Sequence, residues 1–114
     1  MDEPFKYRVI ISDEVDKFFS SLNPKAVRKI LANITVVAKG LQDRELFKKL
    51  EGTNIWEFRT LYSGIAYRLL AFWDTSENAL IVTTHGFIKK TDKTPKKEIE
   101  KAERKRTEYF TSKK

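Results

Sequence analysis

The residues of this 114-residue chain best suited to chemistry are two arginines and a cluster of lysines, groups that bind and stabilise a crowded phosphate. Arginine grips phosphate with a fork of two parallel hydrogen bonds and keeps its proton near neutral pH. Arg59 and Arg68 flank Ser63-Gly64, which reads as the centre of a hairpin. With that centre Arg59 lies opposite Arg68, and Glu57 shares their face. Like charges directly opposed are destabilising, which points to an anion lying across them. The plainer account, less favoured, is a bulge that shifts the register or Glu57 satisfying one arginine. The second candidate group is His85-Gly86-Phe87-Ile88-Lys89-Lys90, followed by Lys93. His85, the only histidine, is a candidate proton carrier, although a lone histidine at a strand end is commonly structural. Phe87 sits among cations, placed either to stack on a base or to close the core. Lys48 and Lys49 add phosphate contacts in one reading and are merely solvated in the other.

Charge reinforces the anion reading. From His85 to Lys114 there are 11 Lys/Arg against 5 Asp/Glu, whereas the first 84 residues hold 12 against 11. Most of the formal +7 is therefore concentrated at one end, the footprint of a nucleic-acid or acidic partner. The plainer account is a solvated helix whose lysines keep the protein soluble. With one histidine and no cysteine there is no convincing zinc site, and Asp13, Glu14 and Asp16 stand where a helix start favours acids. The expectation is chemistry without a metal or other cofactor. No apolar run approaches the about 20 residues that span a bilayer. Met1-Asp2-Glu3-Pro4 lacks the start of a secretion signal, so a cytoplasmic protein with no membrane partner is expected.

These groups must be positioned by one domain covering residues 1–114, whose 40% hydrophobic content is that of a globular protein. Phe5 to Ile11 alternates as a half-buried strand. Ser12 caps a short helix with Val15, Phe18, Phe19 and Leu22 on one face. Asn23-Pro24 opens a second, carrying Val27, Ile30, Leu31, Ile34, Val37 and Ala38 and ending at Gly40. Residues 41–54 are irregular, a turn of helix or a loop. A meander of strands follows over 55–62, 65–73 and 79–85. Trp56 and Trp73 read as core or sheet-edge anchors. Thr94-Pro95 starts the last helix, whose thin stripe of Ile99, Ala102, Tyr109 and Phe110 is interrupted by Arg106, so weak packing is expected. The order β-α-α-β-β-β-α predicts an α+β fold with helices on an antiparallel sheet.

The succession Leu50-Glu51-Gly52, Trp56-Glu57-Phe58-Arg59, Tyr67-Arg68, His85-Gly86-Phe87-Ile88-Lys89-Lys90 and Thr94-Pro95-Lys96-Lys97-Glu98 resembles the RelE/ParE superfamily, and most closely its phage-derived HigB-like branch. The resemblance runs from about Leu50 to Tyr109. It implies the toxin of a type II toxin–antitoxin pair, with a HigA-like helix-turn-helix antitoxin as partner. It also implies a ribosome-dependent endoribonuclease acting on mRNA, in which the RNA 2′-hydroxyl attacks the adjacent phosphate. On that pattern Arg68 binds the scissile phosphate, Arg59 supports it, and Lys89 and Lys90 stabilise the leaving oxygen. Glu57 or His85 serves as base, and Phe87, Lys48, Lys49 and Lys93 hold RNA. Relatives differ in the base, and no C-terminal tyrosine or histidine clearly fits; Tyr109 is a candidate by chain position only. A ParE-like gyrase inhibitor, or a decayed toxin that only binds its antitoxin, remains the alternative.

Overall fold

A computed structural model describes residues 5–113; Met1–Pro4, read above for a secretion signal, lie outside them. Its elements run β1 (Arg8–Ile10), α1 (Asp13–Ser20), α2 (Pro24–Ala38), β2 (Phe47–Lys49), β3 (Trp56–Tyr62), β4 (Ile65–Asp74), β5 (Leu80–Lys89) and α3 (Lys96–Ser112). The α+β class and the order expected from the sequence hold. Three details differ. Residues 41–54 contain the edge strand β2, which pairs with β3. The sheet order is β1-β5-β4-β3-β2, with β1 parallel to β5, so the sheet is mostly antiparallel with one parallel edge. And β5 runs on to Lys89, so Gly86-Phe87-Ile88-Lys89 is strand rather than the approach to a helix.

Local chemistry explains most boundaries. The Ser12 hydroxyl accepts from the Val15 N–H at 3.2 Å and donates to the Thr84 carbonyl at 3.0 Å, capping α1 and fixing it to β5. Asn23 caps α2 through the Lys25 N–H at 2.8 Å, with Pro24 in the first turn. Beyond α2, Gly40 takes φ +100°, which ends the helix. Ser63 and Gly64 both have positive φ (51° and 77°), the signature of a two-residue type I′ hairpin turn.

The sheet carries α1 and α2 on one face and α3 on the other. The first core joins Val15, Ile30, Ile34 and Val37 to Phe58, Tyr67, Leu69, Ala71 and Ile81. Leu31, expected on the buried face, is 41% exposed, because the buried stripe is the narrower one of Ala26, Ile30, Ile34 and Val37. Under α3, Ala102 and Ile99 meet Ile55, Leu70, Phe72, Leu80 and Val82.

Weak packing of α3 does not follow from its thin stripe, because charge fastens it. Glu14 of α1 pairs with Lys101 and with Lys105, the latter at 2.8 Å. Burial opposes ionisation of Glu14, but the two lysines outweigh it and hold its pKa at about 2. At the other end the buried Asp74 carboxylate accepts from Tyr109 and from Lys113, both at 2.6 Å. Tyr109 therefore anchors the helix, and Arg106 lies over the Phe110 ring at 5.1 Å.

Gly86 sits where Phe18 of α1 crosses β5. A Cβ there would come within 2.4 Å of the Phe18 ring and 2.7 Å of Leu69. Gly86→Ala is expected to destabilise by about 1–3 kcal/mol through this overpacking, read as a lower urea midpoint at unchanged m. An unchanged midpoint would mean that α1 is free to move away from β5.

Candidate functional site

The site is built by strand alternation. In the β3–β4 register Arg59 faces Arg68 and Glu57 faces Leu70, so the hairpin reading of the sequence holds. Lys48 of β2 faces Glu57. The β5 side depends on a register shift between Leu70 and Ala71, which leaves Thr84 as the extra residue. Before this bulge Leu80 and Val82 face α3; beyond it His85, Phe87 and Lys89 do. The rows on the α3 side therefore read Lys48–Glu57–Leu70–His85, then Arg59–Arg68–Phe87, then Leu61–Ala66–Lys89. Helix α3 begins over the first of these rows, and the third is open enough to leave Leu61 68% exposed.

Glu57 is the hinge of the arrangement. Its side chain is 4% exposed; Oε1 lies 3.6 Å from Arg59 Nε and 3.7 Å from Arg68 Nε. Those distances carry charge attraction but exceed hydrogen-bond reach. Oε2 accepts from the Thr94 hydroxyl at 2.7 Å. Both arginine Nε atoms are buried without an acceptor among the described residues. Arg68 Nη1 donates to the Tyr67 carbonyl at 3.0 Å, and Arg59 Nη1 to the Arg44 carbonyl at 3.3 Å. Buried donors left in this state mark a place where an anion would be stabilised.

Charge repulsion registers in the proton affinities. Burial lowers the Arg68 pKa, Glu57 raises it and Arg59 lowers it again, with a net fall from the ordinary arginine value. Lys89 is also lowered, first by burial and then by Arg68, with Glu57 opposing and Arg59 and Lys48 adding to the fall. The neutral amine of Lys89 is thus brought nearer to neutral pH.

His85 is placed differently from the base suggested above. Its side chain is 3% exposed, with Nε2 at 3.2 Å from Glu98 Oε1 and Nδ1 at 3.0 Å from Thr84 Oγ1. The neutral tautomer protonated on Nε2 satisfies both contacts, donating to Glu98 and accepting from Thr84. Burial and Lys101 lower its pKa, against the opposing pull of Glu98 and Glu14. Both ring nitrogens are occupied, so His85 acts as a strut between β5 and α3. Phe87 is half-buried in the cluster under α3. Lys90 and Lys93 are exposed beyond the end of β5. Lys49 faces away from the site, beside Trp56 on the opposite side of the sheet. Among the described residues no group of three His, Cys, Asp or Glu converges as metal ligands would.

Thr94 and Glu98 were not singled out from the sequence. The Thr94-Pro95 pair read as a helix start, yet Pro95 occupies the cap position with no side-chain cap bond, and the free Thr94 hydroxyl turns to Glu57. A threonine just before the proline that precedes the helix was the available signal.

The site thus lies on an open sheet with paired N-terminal helices on one face and a C-terminal helix on the other. Residues 17–107 match the family described as Phage derived protein Gp49-like (DUF891), and the chain belongs to that family, within the RelE/ParE-like toxin superfamily. No curated protein matches the sequence. Among the described residues no helix is long and apolar enough to cross a membrane.

Replacing Glu57 by Gln leaves two opposed guanidiniums, that of Arg68 buried and that of Arg59 partly exposed, without their counter-charge. Glu57→Gln is expected to lower unfolding free energy by about 3 kcal/mol in urea titrations. Adding Arg59→Met should recover part of that loss by removing the repulsion. A double variant as unstable as the sum of the two single variants would show that the arginines do not repel through this site.

Proposed function

We propose that this protein is the toxin of a type II toxin–antitoxin pair in the HigB-like branch, a metal-independent endoribonuclease that cuts mRNA on the cytoplasmic ribosome. The observation that carries the reading is the cross-strand pair Arg59/Arg68, with two buried Nε donors that lack acceptors among the described residues, beside a lysine of lowered pKa. A gyrase-binding surface has no need of such a pocket. The family's association with toxin–antitoxin toxins supports the coarser part of the reading.

In the proposed reaction the scissile phosphate lies across Arg68 and Arg59, whose forks stabilise the charge that accumulates as the 2′-oxygen attacks. The neutral Lys89 amine takes the 2′-hydroxyl proton. The 2′-oxygen–phosphorus bond forms as the bond to the 5′-oxygen breaks, and the departing oxygen collects a proton from solvent. The products are a 2′,3′-cyclic phosphate and a 5′-hydroxyl end. Glu57 holds the two arginines in register, a positioning role, because its oxygens are already engaged by the arginines and Thr94. Phe87, Lys48, Lys90 and Lys93 border the path of the RNA. A HigA-like antitoxin would neutralise the protein by covering this cationic end.

Brief induction in bacteria, followed by mapping of new RNA 5′ ends, tests the reading. New ends locked to codon position are expected with the wild type and absent with Arg68→Ala. Growth arrest without new ends would replace ribonuclease action with another target such as gyrase. Lys89→Arg separates base from charge: general-base loss predicts a fall of about 10²-fold or more, as for Lys89→Gln. Because the Lys89 pKa is lowered, the wild-type rate should rise with pH to a plateau below the ordinary lysine value of 10.5, and both variants should lose that limb. Retention of most activity by Lys89→Arg would reduce Lys89 to a supplier of charge.

A further inference from the structure

The face of the sheet opposite the arginines carries a second feature, at the β2 edge. A cavity of about 470 Å³ lies there, between the end of α2 and the sheet, walled by Tyr7, Phe47, Trp56 and Trp73 over Val37. Phe47 stacks on Trp56 with centroids 4.9 Å apart and planes 23° from parallel. Trp73 stands edge-on to Trp56 at 6.3 Å and 85°, and Tyr7 edge-on to Trp73 at 5.0 Å and 80°. The rim is polar: Gln42, Asp43 and Arg44 come from the segment that follows α2. The volume lies in the range that holds a small organic ligand, and the lining combines ring faces with a few hydrogen-bonding groups.

The edge strand carries cations on both sides. Alternation places Lys48 on the arginine face, opposite Glu57, and Lys49 on the cavity face, opposite Trp56. With Arg44 on the rim, these side chains mark a basic track around a strand only three residues long. An aromatic side chain from a protein partner would match the rings, but it would leave this track without a purpose. A nucleotide uses both: its base stacks on the rings while its phosphate meets the lysines and arginine.

We propose that this aromatic cavity is a nucleobase subsite, receiving an unpaired base of single-stranded RNA that passes around the β2 edge from the arginine face. The inference rests on the ribonuclease reading and extends it to a second contact outside the cleavage point. Gln42 and Asp43 belong to the cavity lining, and the Gln42 amide gives the subsite a means of preferring one base; Asp43 Oδ1 is already taken by the Glu45 N–H at 2.9 Å. The subsite is also wired to the first. The Arg44 carbonyl holds Arg59 Nη1 at 3.3 Å, and the Leu46 carbonyl accepts from the Arg59 N–H at 2.8 Å. Filling the cavity therefore bears on the segment that aims Arg59.

The chain has two tryptophans and both line the cavity, so their emission reports on it directly. The test titrates the full chain with AMP, GMP, CMP and UMP separately while following tryptophan fluorescence. A saturable quench with unequal affinity among the four bases is expected. Trp56→Leu should weaken it roughly tenfold or more, leaving Trp73 as reporter. Lys49→Glu, at an exposed position where folding is not at stake, should weaken binding without shifting the urea midpoint. Arg68→Ala should leave the quench intact. No saturable quench with any nucleotide, no effect of Lys49→Glu, or loss of the quench in Arg68→Ala would each overturn the proposal. The two readings fail separately. Cleavage without nucleotide quenching sinks the subsite alone, and quenching that persists in a protein unable to cleave RNA sinks the ribonuclease reading alone.

Discussion

Two guanidinium groups held against each other across one hairpin are the constraint around which this molecule is organised. Arg59 and Arg68 meet because the Ser63-Gly64 turn has positive φ at both residues, which locks a two-residue connection and with it the register. A slip of one residue would send both side chains to the opposite face, into the packing of α1 and α2. Like charges at this spacing repel, and burial strengthens the repulsion. Glu57 answers it from the same face, and its own burial requires the Thr94 hydroxyl. The chain thus tolerates a locally unfavourable charge arrangement by surrounding it with Glu57 from the same strand, the Thr94 hydroxyl behind Glu57 and the Arg44 carbonyl. Such tolerated strain is characteristic of sites shaped for a ligand.

The fifth strand adapts to the same demand. Its first half presents Leu80 and Val82 to α3, as a buried strand under a helix should. The extra residue at Thr84 reverses the alternation, so Lys89 joins the arginines instead of facing α1. At the bulge the Thr84 hydroxyl lies 3.2 Å from the Leu70 carbonyl and 3.0 Å from His85 Nδ1, and its one proton is shared between these two acceptors. His85 then ties the bulge to Glu98. A histidine that looks catalytic by type is here a fastening that sets the position of a lysine.

Much of this architecture was legible because it is encoded locally. Ser12 and Asn23-Pro24 announce two helices, and the type I′ turn announces a hairpin whose register follows by counting. What escaped reading depends on distant partners. Strand β2 is Phe47-Lys48-Lys49, too short to show a period, and it is a strand only because β3 pairs with it. The bulge has no composition of its own; without it Lys89 would fall on the other face. The bonds from Thr94 to Glu57 and from His85 to Glu98 join residues 37 and 13 positions apart, beyond any window of local propensity. The fastening of α3 was underestimated because its apolar stripe is thin, while its ion pairs reach to Glu14 and Asp74. Separation of Lys48 from Lys49 was implicit in strand alternation, once the strand was known.

The order of pieces along the chain has a consequence for synthesis. Both arginines lie in the middle of the sequence, but Lys89, Thr94 and the whole of α3 come after them. Strand β1, made first, has no neighbour in the sheet until β5 arrives. A growing chain can close the β3–β4 hairpin early, yet it then holds two facing arginines with Glu57 uncapped and no roof. The cationic face is therefore among the last parts of the molecule to be completed. A chain cut short before residue 94 would carry the pieces of that face without its geometry.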